Sequence, residues 1–111
     1  MIERFSGNDL GVYQGENYVL AEWNGRGKVV FSMTRRGDAM LCHFSAEKKA
    51  LRDVKQAVAE FIAWVFTVCS WCKMICVPAY PQSGIERMLH RFGFLLCAHD
   101  DEGRNIFMRV R

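Results

Sequence analysis

Three stretches alternate apolar and polar residues and are rich in β-branched and aromatic side chains: "NYVLAEW" (17–23), "KVVFSMT" (28–34) and "AMLCHFS" (39–45). Each has the composition and period of a strand. "NGRG" and "RRGD" separate them. Asn24 and Gly25 both tolerate positive φ, so a tight hairpin is expected there and the three runs form an antiparallel meander. The period then lengthens. Leu51, Val54, Val58, Phe61, Ile62 and Val65 recur every three or four residues, with Lys48, Lys49, Arg52 and Lys55 on the opposite face. This predicts one long amphipathic helix over about 47–68, with Ser45 as its N-cap. "KMICVPAY" (73–80) reads as a buried strand.

Ser83 and Glu86 have capping-box spacing. Ile85, Met88, Leu89 and Phe92 make one apolar stripe, and Gly93 stands where a left-handed residue would end the helix. "FLLCA" (94–98) and "NIFMRV" (105–110) are strands on either side of the polar turn "HDDEGR". Residues 1–17 are polar and glycine-bearing and read as a loop or frayed strand. The order β-β-β-α-β-α-β-β predicts one α+β domain over 1–111. Its mixed, mainly antiparallel sheet is crossed by a long helix and followed by a short C-terminal one, with 18–111 as the core.

Composition narrows the function classes. At 111 residues the chain is one domain's length, and its 50% hydrophobic and 24% charged residues are ordinary for a soluble globular protein. A net charge of +3 gives little pull on nucleic acid, and no nucleic-acid motif is present. The opening "MIERFSGNDLG" lacks an apolar core of the signal-peptide kind, and Glu60 interrupts the longest apolar passage. The expectation is a cytoplasmic protein, without a membrane partner, whose five cysteines are reduced.

Cys69, Cys72 and Cys76 cluster, and Cys97 and His99 follow. A zinc site would need a second tight pair, and "CAH" does not supply one, so no metal is expected. A redox role is disfavoured too, because the C-x-x-C follows a helix C-terminus, where the dipole opposes a thiolate.

The hairpin strands, followed by "AMLCHFSAEKKALRDVKQAVAEFIAWVF" and then "KMICVPAYPQSGIERMLHRFGF", resemble the GNAT (GCN5-related N-acetyltransferase) fold over about residues 18–110. The second part is similar to that family's ending, in which an amphipathic helix runs into "GF". The resemblance implies acetyl-CoA as cofactor and transfer of its acetyl group to an amine. It implies a cofactor site at Phe44, Ser45, Ala46, Lys48, Lys49 and Arg52, with Gln82 near the usual asparagine. His43 and Glu22 are the candidate bases.

The sequence departs from the family pattern in three places. There is no glycine between Gly37 and Gly84, where the family places a glycine-rich phosphate loop. Leu89 occupies the position of the proton-donating tyrosine. Only about 17 residues precede the first meander strand, where the family has two helices, so an acceptor pocket is expected from a partner subunit or not at all. The chain is also similar to trimmed GNAT-like proteins of tailed phages. That implies the alternative of a catalytically degenerate protein that binds a host or virion protein, located in the host cytoplasm or the virion. A homodimer stays open.

Overall fold

The computed structural model describes residues 1–81 and 83–111. Seven strands form one sheet: β1 (Ile2–Arg4), β2 (Val19–Asn24), β3 (Lys28–Arg36), β4 (Ala39–Ala46), β5 (Met74–Ala79), β6 (Leu95–His99) and β7 (Asn105–Val110). Their spatial order is β1-β2-β3-β4-β5-β7-β6. Two α-helices complete the fold, α1 (Val54–Val68) and α2 (Gly84–Arg91). The molecule is therefore a mixed α+β fold with a mainly antiparallel sheet, as the alternation pattern predicts. No described helix is long and apolar enough to cross a membrane.

The β2-β3-β4 meander forms as expected, but its first turn works differently. Neither Asn24 nor Gly25 has positive φ. Both turn glycines serve close approach instead. A Cβ on Gly25 would come within 2.4 Å of the Trp23 ring, and one on Gly27 would lie 2.9 Å from the Ala50 nitrogen. The β3–β4 turn does need a left-handed residue, and Gly37 supplies it at φ +65°.

The long helix is also different. Lys48–Asp53 is a 3-10 segment, and the α-helix begins only at Val54. Ser45 is not its cap. Ser45 is still in β4, and its hydroxyl donates to the Leu10 carbonyl at 2.8 Å. The expectation for α2 holds in half. The Glu86 N–H donates to Ser83 Oγ, but the Glu86 carboxylate turns away and accepts from Asn105 Nδ2. Gly93 ends α2 at φ +81°, as the sequence predicts.

Cross-strand partners share a sheet face, and this sorts the molecule into layers. Phe31 and Phe44 are register partners and face both helices, with Phe31 stacked on Phe61 of α1 at 4.1 Å. His90 of α2 meets Phe107 edge-on at 5.2 Å on the same face. Leu89, Phe94 and Phe107 are each 1% exposed and close that side of the core. Arg111 fixes the end of α1, donating to the carbonyls of Phe66, Cys69 and Cys72 and lying over the Phe66 ring.

The opposite face is covered on its left half by residues 5–18, which cross it as a strap rather than fraying. Ser6 donates to Glu22 through both N–H and Oγ, Lys28 Nζ donates to the Gly7 carbonyl, and Ser32 Oγ donates to the Tyr13 carbonyl. Glu22 anchors the strap. Its carboxylate is 3% exposed, and burial alone would raise its pKa. Hydrogen bonds from Asn24 and Ser6, with Lys28 beside it, overcome that and bring it down to about 2.

A carboxylate held below its ordinary 4.5 stabilises the fold above that pH and loses its contribution as pH falls toward about 2. Urea titrations across that window should show wild-type stability falling with acid. Glu22→Gln should be less stable at neutral pH and should flatten the acid slope. An unchanged slope in the variant would show that Glu22 does not anchor the strap.

Candidate functional site

β4 and β5 are the one parallel pair in the sheet, and they pair only over Ala39–Met74, Met40–Ile75 and Leu41–Cys76. Beyond Leu41 and Cys76 the strands separate. From His43 onward β4 therefore leaves backbone groups facing β5 without that partner. Pro78 on β5 has no N–H to offer, which suits a strand that stops pairing on one side.

Two cavities meet in this gap. One, of about 180 Å³, opens on the strap face between Gly11, Val12, Tyr13, His43, Val77 and Pro78. The other, of about 610 Å³, opens on the helix face between Ala46, Leu51, Val54, Lys55, Gly84 and Met88. Phe44, Ser45 and Ile85 line both, so the separated strands leave a passage from one face of the sheet to the other. Ile85 is 40% exposed although it belongs to the apolar stripe of α2, because it faces this passage rather than the core.

His43 lines the smaller cavity, next to the shared residues. Its ring lies 4.6 Å from Tyr13 and 6.0 Å from Tyr18, both contributed by the strap side. Its Nε2 is buried and has no hydrogen-bond partner, the sole such side-chain atom among the described residues. Burial first, and the positive charge of Arg104 second, push its pKa down from 6.5 to about 4. The imidazole is therefore neutral at physiological pH, with its Nε2 buried and unpartnered beside the smaller cavity.

The structure distributes the other sequence candidates unevenly. Phe44, Ser45 and Ala46 line the larger cavity, with Phe44 and Ser45 also on the smaller. Glu22 lies two strands away on β2, and its carboxylate is committed to Ser6, Asn24 and Lys28, so it serves the strap. Lys48, Lys49 and Arg52 are exposed along the 3-10 segment and line neither cavity. Gln82 lies outside the described residues. Leu89 is core, packed at 1% exposure. The cysteines are free thiols, and no group of three or more metal-ligating side chains comes together among the described residues. Burial raises the pKa of Cys42, Cys72 and Cys76. Cys42 and Cys72 are small buried hydrophobes, and Cys76 is half-buried.

Sequence reasoning did not find Tyr13, Lys55, Arg87 or Arg91. Tyr13 reaches the site only because the strap folds back over β4, and no local pattern signals that. No protein-family model matches the chain, and no curated protein matches it.

The His43 ring is expected to titrate near pH 4 by NMR, well below the ordinary 6.5. Tyr13→Ala opens the cavity to water and should move that midpoint back toward 6.5. A wild-type midpoint near 6.5 would mean that the ring is solvated and the cavity is not as enclosed as described.

Proposed function

We propose that this chain is a small GNAT-type acyltransferase that moves an acetyl group from acetyl-CoA to an amine. The observation that carries the reading is the gap between β4 and β5 where the two cavities adjoin, with the unpartnered Nε2 of His43 beside the smaller one. The larger, mostly apolar cavity suits an extended thioester arm, whose amides can pair with the strand edges freed by the separation of β4 and β5. The smaller cavity on the strap face suits the acceptor, and the strap supplies one of its walls through Gly11, Val12 and Tyr13.

In the transfer, the acceptor nitrogen attacks the thioester carbonyl carbon. A C–N bond forms as the C–S bond breaks. His43 Nε2 takes the proton leaving the nitrogen. The coenzyme A thiolate departs and is protonated from water or from the imidazolium, since Leu89 offers no hydroxyl.

A base of pKa about 4 cannot strip a proton from a strongly basic ammonium, and Arg104 adds positive charge nearby. The site therefore favours amines already neutral at working pH. An α-amino group, at about 8, suits it better than a lysine side chain, at about 10.4.

One observation favours a second reading, a protein that works by contact. On the strap side of the sheet, Met74, Cys76 and Pro78 of β5 align with Val110, Met108 and Ile106 of β7, and Leu95 and Ala98 of β6 continue the rows. None of these residues is charged. Both helices lie on the other side, and the recorded strap bonds reach only β2, β3 and β4. Leu95 is 66% and Val110 58% exposed. Such a face fits a partner protein, of host or virion origin in the phage-like case, or a second copy.

Acetyl-CoA at a hundred times its Kd should stabilise the fold by about 2.7 kcal/mol, read as a rise in Tm. His43→Gln should keep that shift and lose at least ~10²-fold in transfer to an α-amino acceptor. No shift at millimolar acetyl-CoA would remove the acyltransferase reading and leave the contact protein.

A further inference from the structure

A third cavity, of about 120 Å³, lies between the two helices and is lined by Lys55, Gly84, Arg87, Met88 and Arg91. Lys55, Gly84 and Met88 also line the large groove, so the two spaces are continuous. Three cations converge here from two elements. Lys55 is the second residue of α1, and Arg87 and Arg91 stand at i,i+4 on α2. Like charges at that spacing oppose each other on a helix. Among the described residues none of the three forms an ion pair, although five such pairs occur elsewhere in the molecule. The Arg87 guanidinium lies back along the first turn of α2, with Nη2 3.9 Å from where a Cβ on Gly84 would stand. The space therefore has a cationic lining with no counter-charge of its own, at the outer end of an apolar groove.

We infer that Lys55, Arg87 and Arg91 form a phosphate-binding cradle for the nucleotide end of the acyl donor. The inference rests on the acyltransferase reading and deepens it. Acyl donors of this class have an extended thioester arm joined to phosphate esters, which matches a long groove ending in three cations. Arginine binds phosphate through paired N–H donors, and lysine binds it as a point charge.

The cradle also accounts for a departure seen in the sequence. The chain from Ala46 to Lys49 has no glycine to let a backbone approach phosphates, and the basic side chains beside it, Lys48 and Lys49, line none of the three cavities. Side-chain charge from the first turn of α1 and from α2 takes over what a backbone loop would have done. An interaction of this kind depends on charge and weakens with salt, whereas a loop of N–H donors depends more on shape.

The test compares two probes on the full chain, coenzyme A and acetyl-pantetheine, which shares the thiol arm but lacks the nucleotide phosphates. Binding is read by calorimetry at low and high salt. Wild type should bind coenzyme A more tightly than acetyl-pantetheine, with the advantage shrinking in salt. Arg87→Gln combined with Arg91→Gln should weaken coenzyme A at least tenfold and leave acetyl-pantetheine unchanged. Both arginines are exposed, so the double variant should keep the wild-type Tm, which checks its folding.

Equal binding of coenzyme A by wild type and double variant overturns the cradle while leaving the acyl-donor reading intact. Adenosine 3′,5′-bisphosphate serves as a third probe. If it binds through the arginines while neither thiol compound adds affinity, the cradle stands and the acyl-donor reading falls. If none of the three probes binds, both are overturned.

Discussion

The fold depends on a seam. Three backbone pairings between β4 and β5 join a four-stranded half-sheet to a three-stranded one, and the strands then part. A parallel pair cannot be closed by a tight turn, so the chain must leave the sheet and return, and the 3-10 segment and α1 are that excursion. The packing of α1 and α2 across the seam makes up for its short register. Phe61 stacks on Phe31 on one side, while Ile75 and Val77 meet Leu89 and Phe94 on the other. Because the apolar layer on one face holds the two halves together, the sheet can afford to separate beyond Leu41 and Cys76. The opening is thus a by-product of how the halves are joined, and every cavity described above borders it or continues from it.

The two faces of the opening differ in chemistry for reasons of polarity. The helix face is lined by the apolar sides of α1 and α2 and turns cationic only at its outer end. The strap face is built from backbone carbonyls, aromatic rings and one imidazole. The polar residues on the sheet beneath the strap, Glu22, Ser32 and Ser45, would be costly if left buried and unpaired. The strap gives each a partner, and His43 is the group it leaves unsatisfied. That nitrogen is the sole buried side-chain polar atom without a partner among the described residues, on an otherwise satisfied surface.

Strands were legible because their signal is local. β-branched runs with glycine-bearing turns and the period-two alternation place β2, β3, β4 and β7 within a residue or two of where they lie. The helix start was not legible, since a 3-10 segment and an α-helix share nearly the same apolar spacing over one turn. The Ser45 hydroxyl could have capped a helix. It bonds Leu10 instead, and that contact exists only in three dimensions. The same limit explains the site. His43, Phe44 and Ser45 could be picked out as neighbours on one strand. Lys55 could not be linked with Arg87 and Arg91, because they meet only after two helices dock on the same sheet face. Glu22 was legible as an acid on a strand, but its role as the strap's anchor follows from Ser6 and Asn24.

The strap also sets the order in which the molecule can be completed. It is made before every group it rests on, from Glu22 to Ser45. A nascent chain short of β4 carries a strap with nothing to lie on, and one short of α2 has no second wall for the groove. The cavities draw on Tyr13 early in the sequence and on Arg91 late in it. A chain lacking either stretch therefore lacks a wall of one of these spaces.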